Sequence, residues 1–525
     1  MAISAEPTIG IDLGTRYAQI AIDRAGGNAQ IIPNRWGGLR TPSMVALADG
    51  DFLTGEDAAR IALVEPRDVW WDMKRHLGTD WVARTARKAY TPEDLLLPLL
   101  CLLREDAEAY LRRFVFSCVL AVPASFSFPE RGAIARAARR AGFEKIRIIN
   151  EPTAAALSLG ENGRFLIVDF GAGTLDLSVV EGESGVYQVL ESQGRRDIGG
   201  FDLDRRLAEF LCRQIGVTMT RAEDPRGALM LSEAESVKIA LSNANHLTWQ
   251  VPAGLLMGER SLEISRRDFE SLIRPPVEEI VRMVERIWQR YVPHKLLLVG
   301  GSSRIPLLRE LLAKRVREPE HMRVCPEEAV VMGSALYANQ GRERLLIDVL
   351  SRSLGVMDAD GRAVPLLGRG VPLPAEARRK FTAHGRGDLE VTIVQGEGRV
   401  RSLNRVLQTI IIGDVSDGET IEIFFRVDEG GLLHVEANRR GGTDRQVVSL
   451  ESDQPGGAPC NLFSEIRVRE ERLARLGGSF RAQFHQRVLT LLTDIRSLKN
   501  EDAALQWEAL ETLDRMIAEI ERVVA

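Results

Sequence analysis

Cysteine is scarce in this chain: five in 525 residues, at positions 101, 118, 212, 325 and 460. None forms a CxxC pair or a metal-finger spacing, which excludes a zinc framework and fits a reducing compartment. No apolar stretch reaches the ~18 residues that cross a bilayer. The opening MAISAEPTIGIDLG lacks a basic segment followed by a long apolar run, so no secretory signal is read. The net charge is only −5, which gives nucleic acid no electrostatic foothold. One arginine-rich stretch, Arg131 to Arg140, reads as a solvated helix face from its helical spacing. Internal repeats are absent, and low complexity is confined to a Gly/Pro-rich stretch at 453–459. A cytoplasmic monomer without nucleic-acid or membrane partners is therefore expected.

Present instead are two versions of one pattern, an apolar strand running into an aspartate and a tight glycine turn. They are Ile9-Gly10-Ile11-Asp12-Leu13-Gly14-Thr15 and Leu166-Ile167-Val168-Asp169-Phe170-Gly171-Ala172-Gly173-Thr174. Glycine lets backbone approach a ligand closely and leaves N–H groups to hold phosphate oxygens. Each aspartate stands at the turn, where it can hold a magnesium ion or a water. Two such turns, 157 residues apart by aspartate numbering (12 and 169), point to a duplicated domain with a nucleotide between its halves.

Strand-like and helix-like segments alternate from residue 9 to about 340, an α/β pattern too long for one core and so expected as two lobes. Beyond Gly341 comes a short apolar run with one acid, Leu345 to Leu350 (LLIDVL). Strand-like pieces then recur at Leu389–Val394, Thr420–Val427 and Leu432–Ala437, the first alternating apolar and polar as a strand buried on one face. The expected organisation is multidomain, α/β plus β: a two-lobed nucleotide-binding domain at 1–343, a linker at 344–352, a β-sandwich at 353–452 and short helices at 453–525. The last of these helices is expected to be capped by Asn500, with acids in its first turn.

Further signals join the two turns. Val299-Gly300-Gly301-Ser302-Ser303-Arg304-Ile305-Pro306 is a third strand-to-glycine turn, suited to the ribose and adenine side of a nucleotide. Asn150-Glu151-Pro152 puts an acid at a helix start, and Glu235, Lys238 and Ser242 share one helix face. Lys74 adds a cation. With Asp197-Ile198-Gly199-Gly200-Phe201-Asp202, this set closely resembles the DnaK-type, seventy-kilodalton heat-shock chaperone family, built on the actin-like ATPase fold. The resemblance runs in order from about residue 8 to 450.

The resemblance implies an ATP-dependent chaperone that binds extended apolar segments of unfolded proteins, with ATP/ADP and Mg2+ as cofactors. J-domain and nucleotide-exchange partners are implied with it. Asp12 and Asp176 would hold magnesium, largely through water. Lys74, Glu151 and Asp169 would position the attacking water, with Thr15 and Thr174 at the β- and γ-phosphates. Gly14, Arg16, Tyr17, Gly171, Ala172, Gly173, Gly199, Gly200, Gly301 and Ser302 would border the nucleotide, with Gly300, Arg304 and Glu327 beside them. Glu235, Lys238 and Ser242 would meet the adenosine. Val356, Phe381, Leu389, Val391 and Ile393 would line a peptide cleft under Ala359 and His384. Pro123 and Arg131 match a pair that relays nucleotide state, and Arg147 and Asp348 match positions for J-domain contact and interdomain coupling.

The sequence also departs from that pattern. Arg16 stands where a second threonine is usual; its guanidinium can grip phosphate bidentately or point outward. Ala172 replaces a glycine and so is expected at negative φ. Only about 70 residues remain for a C-terminal lid, so a short lid that releases clients quickly is expected. Two other readings compete. One is a non-cycling nucleotide-gated holdase, exchange factor or scaffold with weak ATPase; the other is a small-molecule kinase of the same fold.

Overall fold

The computed structural model describes residues 6–24, 27–64, 68–85, 88–220, 225–252, 255, 260–338, 345–350, 352–358, 362–398, 404–439 and 445–449. Ala359 and the expected helices at 453–525 lie outside the described residues.

The architecture is mixed α/β, and two sheets repeat one plan. In the first, β1 (Thr8–Leu13) forms an antiparallel meander with β2 (Tyr17–Asp23) and β3 (Ala29–Ile32). Parallel strands β4 (Ser117–Val122) and β5 (Lys145–Asn150) extend it on the other side, in the order β5-β4-β1-β2-β3. In the second, β6 (Gly163–Phe170), β7 (Leu175–Glu183) and β8 (Val186–Arg195) form the equivalent meander. Parallel β9 (Lys295–Val299) lies beside β6, and β10 (Leu345–Ile347) lies beside β8. The central strands are almost wholly buried, as strands covered on both faces must be. The apolar run expected as a linker thus enters the second sheet as an edge strand.

Helix α1 (Met73–His76) and α2 (Phe128–Arg140) belong to the first lobe. Helix α3 (Glu151–Leu159), which opens with Pro152 in its first turn, follows β5 directly. Helices α4 (Gly200–Ile215) and α5 (Pro225–Asn243) pack on the second sheet and bury their apolar faces in its core. Helix α6 (Ala329–Ala338) lies against α3 between the two sheets, where Ala154, Ala155 and Ala156 meet Ala329 and Val330. Small side chains let these helices approach closely. At Gly333 a Cβ would stand 1.6 Å from the Ala154 carbonyl oxygen.

Helix α2 corrects one expectation. Arg131 to Arg140 is only in part a solvated face: Arg139 and Arg140 are exposed, but Glu130 and Arg131 are buried with Ala133, Ile134, Ala135, Ala137 and Ala138. Arg136 pairs with Glu93 and Arg140 with Asp94, 2.9 Å away, so two of the arginines bind the neighbouring helix Pro92–Leu111.

Residues 354–449 form two four-stranded sheets facing one apolar core. One contains Leu354–Met357, Ala363–Leu367, Gly387–Gln395 and Arg405–Val415; the other Ala375–Thr382, Thr420–Val427, Leu433–Arg439 and Arg445–Ser449. Val356, Val391 and Ile393 lie in that core, and Phe381 and Leu389 pack on its margin. His384 is exposed in the connection after Thr382. The sandwich rests on the first lobe: Phe128 enters its core, and Leu432 enters the core of the first lobe.

Because a backbone carbonyl cannot retreat as a side chain can, Gly333→Ala is expected to destabilise the protein by about 2 kcal/mol or more. Chemical denaturation of the two proteins measures the difference. Equal midpoints and slopes would show that α3 and α6 are not in this contact.

Candidate functional site: the cleft between the two lobes

Strands β1 and β6 end at the same cleft, and the glycine turns after them face each other. A Cβ on Gly173 would stand 2.2 Å from the Thr15 hydroxyl oxygen, so glycine is required for the turns to meet. The first turn is held from below by Ser43, whose hydroxyl donates to the Gly14 carbonyl at 2.7 Å and whose N–H donates to the Arg16 carbonyl at 2.9 Å. The second is closed by the Gly171 N–H on the Thr174 carbonyl at 3.1 Å. Ala172 is absent from the residues with positive φ, as its side chain requires. Both turns line a cavity of about 440 Å³, a size suited to a small organic ligand.

Three carboxylates line its floor, Asp12, Glu151 and Asp169, and a fourth, Asp176, is buried beside them. Lys74, from α1, donates to Glu151 Oε1 at 2.5 Å, and both are buried, Lys74 also lying 5.7 Å from the Phe126 ring centre. Asp12 and Asp169 line the cavity beside this pair. Asp176 stands opposite Asp169 in the β6–β7 register, fully buried; its Oδ1 accepts the Ser125 N–H at 3.1 Å and its Oδ2 has no partner. Burial, reinforced by the Glu151 charge, pushes the Asp12 and Asp176 carboxyls up to about 7. Burial and three neighbouring carboxylates hold Asp169 well above the usual carboxylate range. The site therefore carries more buried negative charge than Lys74 balances.

Around the rim, Lys238 pairs with Asp204 at 2.7 Å, and the Ser242 hydroxyl bonds the Lys238 carbonyl at 2.9 Å. Ser302 donates to the Gly171 carbonyl at 2.9 Å, tying the third glycine turn to the second. Glu327 accepts from Arg304 at 2.8 Å and lies 3.9 Å from Arg40. Gly300, Gly301, Arg304 and Tyr17 also line the cavity. Gly199 and Gly200 do not; they back the second turn, where the Gly200 N–H bonds the Gly171 carbonyl at 2.9 Å. Arg16 neither points outward nor lies free, since its Nε donates to Glu235 Oε2 at 2.8 Å across the cleft. Arg40, Ser43, Ile239 and Pro326 contribute to the site without any signal in the sequence; chain folding from distant segments brings them there.

The model of the Hsp70 protein family matches residues 8–88 and 80–474. The chain belongs to the Hsp70 family. It is 32% identical over 482 residues to the chaperone protein DnaK of Thermosipho melanesiensis, covering 85% of this chain and 80% of that protein. Among the described residues no helix is long and apolar enough to cross a membrane.

A second cluster connects the Hsp70 cleft to the sandwich. Asn150, the residue before Glu151, donates to Asp348 Oδ2 at 2.5 Å and accepts from Arg131, whose other terminal nitrogen reaches the Gly430 carbonyl at 3.1 Å. Arg405 of the sandwich donates to the Gly78 carbonyl at 2.5 Å, next to the helix that carries Lys74. Pro123 is buried nearby. Arg147 donates to the Ala338 carbonyl and lies 4.9 Å over the Tyr337 ring.

The raised carboxyls have a testable sign. An aspartate raised above its unfolded value favours folding most below about pH 4, and this contribution is lost as pH rises through about 7. In chelator-treated, nucleotide-free protein, Asp176→Asn should therefore be more stable than wild type at pH 8 by about 2–4 kcal/mol, the gap shrinking towards pH 4. Denaturant unfolding across that range checks it; a pH-independent gap would contradict the assignment.

Proposed function

We propose that this Hsp70-family chain is an ATPase that couples nucleotide state in the cleft to capture and release of extended apolar polypeptide by the sandwich. The observation that carries the reading is the buried Lys74–Glu151 pair between two opposed phosphate-type turns, with Asp12 and Asp169 on the same cavity wall and Asp176 buried beside Asp169. Phosphoryl transfer needs mainly positioning and charge neutralisation, and this floor is equipped for both.

The partnerless Asp176 oxygen and the uncompensated carboxylates fit a divalent cation. Among the described residues no three acids or histidines form a direct metal cage. That suits Mg2+ held by Asp12 and Asp176 largely through water, with substrate phosphates completing its shell. When bound, the ion would neutralise charge on the transferring phosphoryl group. Glu151 and Asp169 orient the attacking water, and Lys74 fixes Glu151 while placing a positive charge at the phosphoryl oxygens. Thr15 and Thr174 supply hydroxyls at the phosphates. Glu235, Lys238 and Ser242 line the adenosine side, together with the Gly300–Arg304 turn and Glu327.

In the sandwich, Phe381 and Leu389 present partly exposed apolar surface at the margin of the core, with Val356, Val391 and Ile393 beneath them. Coupling runs through Asp348, Asn150 and Arg131, because Asn150 shares its backbone with the start of the Glu151 helix. A shift of Glu151 on hydrolysis would be felt at Asp348 and Gly430, biasing docked against released sandwich. Arg147 and Asp348 are the proposed contacts for a J-domain partner. The domain limits 1–343, 344–352, 353–452 and 453–525 belong to the same proposal.

Lys74→Ala should bind ATP with nearly wild-type affinity and hydrolyse it about 100-fold or more slowly, in line with loss of one electrostatic group at a phosphoryl centre. In wild type, an unfolded apolar peptide should stimulate steady-state hydrolysis. Single-turnover measurements with and without peptide decide between readings. Absence of hydrolysis in wild type would favour a nucleotide-gated holdase, and transfer of phosphate to a sugar would favour a kinase.

A further inference from the structure

Arg16 and Glu235 meet from opposite sides of the cleft. Arg16 follows the first glycine turn, between Leu13 and Ala18 of the first-lobe core. Glu235 stands on α5, flanked by Ala234 and Val237 of the second-lobe core. Two nitrogens of the guanidinium, Nε at 2.8 Å and Nη2, converge on the single oxygen Glu235 Oε2. Both side chains are largely removed from solvent, 20% and 16% exposed, and both line the nucleotide-sized cavity. The backbone beneath Arg16 is pinned by Ser43, so any change of partner is made by the side chain alone.

We propose that Arg16 is a phosphate-binding residue that changes partner. Through Glu235 it ties the lobes together, and on nucleotide binding it transfers to the phosphate oxygens next to Thr15. The inference rests on the nucleotide reading above. A guanidinium held by one oxygen of a monoanionic carboxylate has a better partner in a polyphosphate, which offers more charge and a matching pair of oxygens. Arg16 is adjacent in sequence to Thr15, whose hydroxyl faces Gly173 of the opposite turn, and all three line the same cavity. The exchange would open the ion pair between the lobes as the phosphates bridge them.

Binding of ATP, adenosine and inorganic tripolyphosphate to the full chain tests this by calorimetry, with thermal unfolding run alongside to confirm folding. Arg16→Thr should weaken ATP and tripolyphosphate by about tenfold or more, the scale of a lost charge-assisted hydrogen bond, and leave adenosine within about twofold. Arg16→Lys should recover part of the phosphate affinity. Glu235→Gln, which removes the competing partner, should tighten tripolyphosphate several-fold. If Arg16→Thr binds all three ligands as wild type does, or loses ATP and adenosine equally, the partner change is overturned and the pair is only a structural tie. If wild type itself binds neither ATP nor tripolyphosphate, the nucleotide reading fails and takes this inference with it.

Discussion

Everything in the cleft depends on one buried ion pair. Lys74 and Glu151 come from elements 77 positions apart and meet at 2.5 Å beneath the two glycine turns. Burying charges is costly unless they are paired and hydrogen-bonded, so the pair is sustained only by the closed floor around it. Asp12 and Asp169 line that floor and Asp176 is buried beside them, with Lys74 the cation that acts on all three. The arrangement is poor for stability and suited to receiving a cation and a phosphate, which is how functional sites commonly depart from the rest of a fold.

The same pair joins the proposed catalytic floor to the architecture. Glu151 begins α3, Asn150 precedes it, and Asn150 is the centre of the Arg131–Asn150–Asp348 chain that reaches the sandwich. Arg405 reaches the other end of the floor at Gly78. The sandwich therefore touches both sides of the Lys74–Glu151 pair, the Gly78 carbonyl directly through Arg405 and Asn150 indirectly through Arg131, which bonds the Gly430 carbonyl. In the proposed reading, displacing either contact would alter the setting of that pair, and moving the pair would alter the contacts. Coupling here needs only packed elements with more than one arrangement, not a long pathway.

The sequence carried the turns and the duplication plainly, because Asp-Gly-Thr patterns and apolar strands are local signals. Some strand and helix positions followed for the same reason; the strand at Thr420 and the helix after Asn150 begin where the apolar pattern and the Pro-containing helix start placed them. What escaped was long-range. Arg131 to Arg140 has the composition of a solvated helix, yet tertiary packing buries much of it and pairs Arg136 and Arg140. Ser43 and Arg40 carry no signature, and only chain folding brings them to the cleft. Arg16 was visible as a departure, but its partner, Glu235, lies 219 positions away and no local rule could pair them. Val356, Val391 and Ile393 alternate as core residues of any sandwich would, which is why their pattern alone cannot separate a cleft from a core.

The central claim is the proposed one, that this crowded acidic floor around Lys74 and Glu151 binds Mg·ATP. Calorimetric titration of Mg·ATP into nucleotide-free protein at pH 7, in two buffers of different ionisation enthalpy, tests it most directly. With Asp12 and Asp176 raised to about 7, binding should release on the order of one proton as the ion replaces it. The apparent enthalpy should then differ between buffers, and Asp176→Asn should diminish the difference. An enthalpy that is the same in both buffers would contradict the account.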